Sequence, residues 1–153
     1  REIQATSPWR AEALIQQAWL LNGLDRPGEA LVAADQALAS SRRRGIAVNV
    51  SNFRTTEESL VYVRALARLL PGLRAVIDTS RNGRGPAPGD QWCNPSGRGL
   101  GTPPTVTPGM APLDALLWIK TPGESDGTCN GGPSAGVWWP EQALGLARLA
   151  VAG

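Results

Sequence analysis

The 153-residue sequence contains no histidine. That absence removes His-based catalytic triads, imidazole acid–base chemistry and zinc centres built on His. No metal-ligand spacing takes their place, so neither a metal nor a cofactor is expected. A dominant charge is also missing: 15 Lys and Arg stand against 13 Asp and Glu, a net +2. The only basic cluster, Arg42-Arg43-Arg44, has the size of a solvated face, so the electrostatic footprint of a nucleic-acid partner is absent. No apolar run approaches the roughly 18 residues of a membrane span. Arg1 opens the chain without Met, and no charged-then-apolar leader follows. Whatever precedes Arg1 is expected to have been removed or to lie outside this sequence.

What is abundant is glycine and proline, 18 and 13 residues, concentrated between Pro71 and Pro140. Six Trp accompany them, a composition that fits an ordered, loop-rich site better than a disordered tail. The length fits one domain or a large part of one.

Helical and strand patterns alternate along the chain. Residues 11–21 carry apolar side chains at helical spacing before an Asn22-Gly23 stop, and Pro27 opens a second helix reaching about Ser40. Residues 11–40 also have the look of one tetratricopeptide-type hairpin, but a single hairpin is not an array. GIAVNV (45–50) reads as a short buried strand. Thr55-Thr56-Glu57-Glu58 forms a capping box, and the helix it starts runs to Leu70 before Pro71-Gly72. LRAVID (73–78) is a second strand and ALLWIK (115–120) a third, separated by a long loop over 79–112. A further loop covers 121–138, and Pro140 sits in the first turn of a last helix.

This alternation predicts an α/β fold with about three parallel strands, crossover helices and long loops. In such folds functional groups gather on the loops that follow the strands' carboxyl ends. Those loops are the polar, Gly-rich, Trp-bearing parts of this chain.

Glu124 and Asp126, two apart in PGESDG, can face one cleft from an extended loop, with Lys120 just before them to keep a carboxylate ionised. Ordinary turn carboxylates have the same spacing. Trp92 is either a platform for stacking a ring or an anchor under its loop. Trp118 is open to either core or inner wall. Cys93 and Cys129 both lie in polar loops between turn residues, where a loop-stapling disulfide and an oxidising compartment are expected; two unrelated thiols are the other reading. Asn82, Arg84, Asn94 and Arg98 supply amide and cationic donors suited to a polyhydroxylated neutral ligand. Gly97-Arg98-Gly99-Leu100-Gly101 is Gly-rich but neither follows a strand nor precedes a helix, so it is a weak phosphate signal.

Taken together, NVSNFRTTEES (49–59), VIDTSRNGRGP (76–86), WCNPSGRGLG (92–101), DALLWIKTPGESDG (114–127) and AGVWWPEQAL (135–144) resemble glycoside hydrolase family 6, the cellobiohydrolases and endo-β-1,4-glucanases that cut cellulose with inversion. The five motifs come in the family's order. The resemblance implies a partial distorted TIM-like barrel, with residues 1–25 a divergent helical segment and 26–153 the C-terminal half of a catalytic domain. It implies Asp126 as the general base or helper of the attacking water, with Lys120 and Glu124 binding substrate beside it. It further implies Trp92 stacking a glucose ring, Asn52 on a subsite-lining segment, and a Cys93–Cys129 disulfide. The implied ligand is cellulose or cello-oligosaccharide, and the implied location is extracellular.

The departures carry expectations of their own. The family's general acid and the aspartate that tunes it have no counterpart in this sequence, and Trp19 is the nearest match to an earlier loop's Trp. An inverting glycosidase needs two carboxyl groups about 6.5–9.5 Å apart. The isolated chain is therefore expected to be inactive, as part of a larger catalytic domain; the alternative is a truncated, non-catalytic carbohydrate-binding or degenerate protein. Three strands leave two sheet edges, so self-association is expected unless residues 1–25 cover one.

Overall fold

The computed structural model describes residues 45–151. The helices expected over 11–21 and 27–40, the divergent segment 1–25 and Trp19 lie outside the described residues. Ile46–Gly153 form one compact unit. Its elements are β1 (Gly45–Val48), α1 (Thr56–Leu69), β2 (Arg74–Asp78), β3 (Leu113–Leu117) and α2 (Pro140–Arg148). Two short 3-10 turns, Pro88–Asp90 and Cys129–Gly131, punctuate the loops. The three strands form one sheet in the order β1-β2-β3, with β2 and β3 parallel. The expected α/β arrangement is present.

α1 forms where the sequence caps it. Thr55 Oγ1 accepts the Glu58 N–H at 3.1 Å, and Glu58 Oε2 accepts the Thr55 N–H at 2.8 Å. The reciprocal pair satisfies two of the donors that a helix start leaves open. Leu60, Val63 and Leu66 then recur on one face. Leu60 and Val63 meet Ala75, Ile77, Leu113 and Leu116 of the sheet, with Ile46, Val48 and Met110 at the margin. Burying each such aliphatic side chain contributes about 1.5–3 kcal/mol.

β3 differs from its expected bounds, beginning at Leu113 and ending at Leu117 rather than covering 115–120. Its start is set by a bulge: Ala75 faces Leu113 but Val76 faces Ala115, leaving Asp114 as the extra residue. Asp114 points to solvent and pairs with Arg74. The bulge shifts the alternation by one, so Leu113 before it and Leu116 after it serve the same core. Its end is set by β2, because the Ile119 and Lys120 N–H groups turn to the Asp78 carboxylate instead of continuing a ladder. β1 stops at Val48, two residues short of expectation, because Asn49 takes a left-handed conformation at φ 61°. On the other side of β3, Thr105 makes an isolated antiparallel bridge to Leu116.

The loop over 79–112 is pinned along its length. Thr79 Oγ1 donates to the Thr102 carbonyl at 2.7 Å, and Trp118 Nε1 donates to the same oxygen at 3.1 Å, which leaves Trp118 half-buried. The Gly99-Leu100-Gly101 segment is a docking seam rather than an anion cradle. Leu100 exchanges backbone bonds with Leu146 and Val151. A Cβ on Gly99 would stand 1.9 Å from the Leu149 carbonyl oxygen, so only glycine lets the end of α2 approach.

Candidate active site

Three loops leave the carboxyl ends of the strands: residues 49–55 after β1, 79–112 after β2 and 118–139 after β3. Asp78 closes β2 and joins all three. Only 1% exposed, its carboxylate accepts backbone N–H groups from Ser51 (2.9 Å) and Lys120 (3.1 Å) on Oδ2, and from Ser80 (2.9 Å) and Ile119 (3.3 Å) on Oδ1.

Arg81, three residues on, is the next fixed point. Its guanidinium lies 4.4 Å over the Phe53 ring, Nη2 donates to the Ser51 carbonyl, and Nη1 donates to Asp126 Oδ2 at 2.8 Å. The Arg81 and Asp126 side chains are 2% and 8% exposed, so this ion pair is largely desolvated. Removing one partner of such a pair leaves an uncompensated buried charge, a loss of about 3–5 kcal/mol. Arg81 Nε and Ser80 Oγ are buried without a partner among the described residues.

Asp126 is also gripped by Asn94. The Asn94 N–H donates to Asp126 Oδ2 at 3.0 Å, and the Asp126 N–H donates to Asn94 Oδ1 at 2.8 Å. Asn94 Nδ2 donates to the Gly127 carbonyl (2.7 Å), Ser125 Oγ (3.0 Å) and the Cys129 carbonyl (3.1 Å). A Cβ at Gly132 would sit 2.4 Å from that Nδ2, which excludes any side chain there. Both donors to the Asp126 carboxylate fall on Oδ2. Oδ1 accepts no hydrogen bond among the described residues. One oxygen is clamped and the other is free to take a hydrogen bond or a proton.

Lys120 and Glu124 form a second pair, with Nζ and Oε2 3.4 Å apart. The turn between them has Pro122 and then Gly123 at φ 92°, with the Glu124 N–H reaching the Thr121 carbonyl at 3.3 Å. That is the Pro-Gly order a type II turn requires. A Cβ on Gly123 would lie 2.6 Å from Ala143 Cβ and 2.8 Å from the Trp138 ring, so glycine also makes room for α2. Glu124 pairs with Trp138 in an isolated antiparallel bridge.

The disulfide Cys93–Cys129 joins the two long loops, with Cα atoms 6.1 Å apart. Asn130 Nδ2 adds a bond to the Cys93 carbonyl at 2.9 Å. Trp92, next to the disulfide and two residues before Asn94, is 64% exposed. It is therefore not an anchor under its loop. Asn52 is exposed on the loop after β1, and its Oδ1 accepts the Phe53 N–H at 2.8 Å.

Three of the four donors suggested for a sugar already have partners within the protein. Asn82 Nδ2 is spent on the Arg54 carbonyl (3.0 Å) and Thr56 Oγ1 (3.2 Å). Arg98 Nη1 is spent on the carbonyls of Gly85 (2.8 Å) and Pro86 (2.9 Å), and Asn94 on the Asp126 loop. Irregular loops leave many carbonyls without a ladder partner, and these side chains satisfy them. Arg84 alone is exposed. Sequence reasoning missed Asp78, Arg81 and Ser125. The one signal for Asp78 is its position directly after the apolar run AVI, where a carboxylate meets strand-end amides.

A parallel α/β unit with carboxylates and an exposed Trp on its strand-end loops is part of an α/β fold that carries its polar groups at the strands' carboxyl ends. The chain belongs to glycosyl hydrolases family 6, whose family model matches residues 17–150. It is 54% identical over 106 residues to endoglucanase A of Cellulomonas fimi, covering 69% of this chain and 23% of that protein. It is 41% identical over 109 residues to 1,4-β-D-glucan cellobiohydrolase C of Emericella nidulans, covering 57% of this chain and 24% of that protein. Among solved structures, the endoglucanase Cel6 of Mycobacterium tuberculosis, in complex with a thio-linked methyl-cellobiosyl cellobioside, superposes with a TM-score of 0.75 at 41% identity. That match covers 94% of this chain and 56% of the other. The chain thus spans about a quarter of the length of these curated relatives and about half of that solved structure.

Proposed function

We propose that this protein serves the hydrolysis of β-1,4-glucosidic bonds in cellulose with inversion, and that Asp126 is its general base. The carrying observation is the asymmetry at Asp126, with Oδ2 held by Arg81 and Asn94 and Oδ1 unpartnered among the described residues. A carboxylate held this way orients one lone-pair face toward a water molecule, and acid–base positioning of that kind is worth about 10²–10⁴-fold in rate. Lys120 and Glu124 offer a donor and an acceptor for sugar hydroxyls beside it. Trp92 is the stacking platform, and Asn52 lines the same face. The leaving oxygen needs a second carboxyl group about 6.5–9.5 Å from the base. No residue of 45–151 is assigned that role, so the 153-residue chain alone is expected not to turn over glucan. Residues 26–153 are read as the part that folds as family 6 and 1–25 as a divergent segment. The disulfide supports an oxidising, extracellular setting.

The test is a chimera in which this chain's matching segment replaces that of the Cellulomonas fimi endoglucanase A. It should hydrolyse soluble β-glucan, and Asp126→Asn should lower kcat by at least 100-fold. Trp92→Ala should weaken cellotetraose binding to the 153-residue chain, while Val61→Ala on the outer face of α1 should not. A folded chimera whose activity survives Asp126→Asn overturns the assignment. Self-association through a sheet edge is read by sedimentation of the 153-residue chain, and a single monomeric species removes it.

A further inference from the structure

We infer that Asp78 is a positioning residue on which both charged pairs of the site depend. The inference rests on the reading of Lys120, Glu124 and Asp126 as the working site.

The four backbone N–H groups on Asp78 belong to residues one covalent or hydrogen-bonded step from those pairs. On one branch Asp78 Oδ2 holds the Lys120 N–H at 3.1 Å, and Lys120 carries Glu124 through its ammonium. On the other, the same oxygen holds the Ser51 N–H at 2.9 Å, the Ser51 carbonyl anchors Arg81 Nη2, and Arg81 Nη1 holds Asp126. Oδ1 fixes Ser80 and Ile119, the residues immediately before Arg81 and Lys120. The carboxylate thus sets two consecutive residues at the start of the third loop, and in the second loop the residue just before Arg81.

The loop after β1 needs such a hold. Asn49 and Ser51 are both left-handed, at φ 61° and 57°. Neither is glycine, and L-residues adopt that region only when surrounding contacts fix them. Asn49 Nδ2 donates to the Asp78 carbonyl at 2.8 Å and Ser51 N–H to its carboxylate, so both contacts come from Asp78. Among the described residues no cation pairs with Asp78, and its hydrogen bonds are those of a template for backbone rather than of a salt bridge. A carboxylate can accept on both oxygens at once, which a neutral amide cannot. Asp78→Asn therefore sets an NH₂ group against two N–H donors, whichever way it turns.

The test uses the 153-residue chain as wild type, Asp78→Asn, Asp78→Glu and Val63→Ala. Val63 lies in the core under α1, and its truncation supplies a comparable loss of stability without touching the loops. Amide exchange and carboxyl ¹³C shifts are read by NMR. Asp78→Asn should speed exchange at least 10-fold at two or more of Ser51, Ser80, Ile119 and Lys120, relative to Ala75 and Ile77, and should move the Asp126 and Glu124 carboxyl signals. Val63→Ala should do neither. Asp78→Glu retains the charge but displaces it by one methylene, and should disturb the same signals; it decides the question if the Asn variant does not fold. Unmoved carboxyl signals in the folded Asp78 variants, or the same changes in Val63→Ala, overturn the inference. In the chimera Asp78→Asn should lower kcat at least 10-fold with KM within about 3-fold, and an unchanged kcat in an active chimera also overturns it. An inactive parent chimera counts against the glucanase reading alone, because the NMR result judges Asp78 without it.

Discussion

Replacing Asn94 with Ala tests whether one buried amide holds the Asp126 loop in place. The side chain, in a residue 4% exposed, makes four contacts of 3.1 Å or less, three of them shared between the two Nδ2 hydrogens. Their loss is unequal. The Gly127 carbonyl keeps Ser125 Oγ at 2.9 Å, the Cys129 carbonyl keeps the Gly132 N–H at 3.0 Å, and Ser125 Oγ keeps the Gly127 N–H at 3.1 Å. The Asp126 N–H loses the single acceptor it has among the described residues, and the long Gln142 Nε2 contact at 3.5 Å goes with it. An orphaned buried donor costs about 1–3 kcal/mol, and a bond whose partner remains satisfied about 0.5. Asn94 is left-handed at φ 46°, and alanine there adds roughly 1–2 kcal/mol. The sum for Asn94→Ala is about 3–6 kcal/mol, with Asn94→Gly about 1 kcal/mol milder because it sheds the conformational term. Urea unfolding of the oxidised 153-residue chain reads both values from the midpoint at constant slope. A loss below about 1 kcal/mol for Asn94→Ala, or a glycine variant worse than the alanine one, would refute the reasoning.

Two further outcomes are expected. Removing the disulfide with paired Cys93→Ser and Cys129→Ser should destabilise by roughly 3–4 kcal/mol, the chain-entropy value for a separation of 36 residues, and a shift under about 1 kcal/mol in thermal or urea melts would contradict it. Glu58 is held below the usual glutamate range chiefly by the Thr55 backbone N–H, with burial opposing and Arg54 assisting. A depressed carboxyl contributes stability above its unfolded value and loses it as pH falls through the folded one. Melts from pH 6 down to 2 should therefore show a decline that Glu58→Gln flattens, with Thr55→Ala costing about 1 kcal/mol at pH 6. Parallel pH profiles for wild type and Glu58→Gln would count against the capping box.

The sequence made local structure legible and left the wiring hidden. The α1 start follows from Thr55 and Glu58 because both partners of the capping box lie within four residues. β2 follows from RAVID, and α2 from Pro140, for the same local reason. The end of β3 was misplaced because it is decided by Asp78, whose partners Ile119 and Lys120 are 41 and 42 residues away. The carboxylates and Trp92 could be singled out by residue type and loop position. Asn82, Asn94 and Arg98 could not be sorted from ligand donors in that way, because a buried amide and an exposed one are the same letter. Only their distant carbonyl partners distinguish them.

Those hidden partners make up a second, polar core. The apolar cluster under α1 fixes the strands, but it ends where the strands end, and residues 79–112 and 118–139 have almost no ladder to hold them. Buried Asp78, Arg81, Asn94 and Ser125 do that work instead. Each joins segments of chain by directional bonds rather than by area. In a low-dielectric interior such a network is stiff where its members are satisfied, as at Asp78 and Asn94, and costly where one is not, as at Arg81 Nε. This explains how loops so rich in glycine can carry a carboxylate with a defined orientation. The glycines let backbones approach, as at Gly99 and Gly132, and the buried polar side chains then bond across the approach. Stiffness at Asp126 is thus a property of residues far from it in sequence, and a substitution at Asp78 or Asn94 should reach the carboxylate without touching the apolar core.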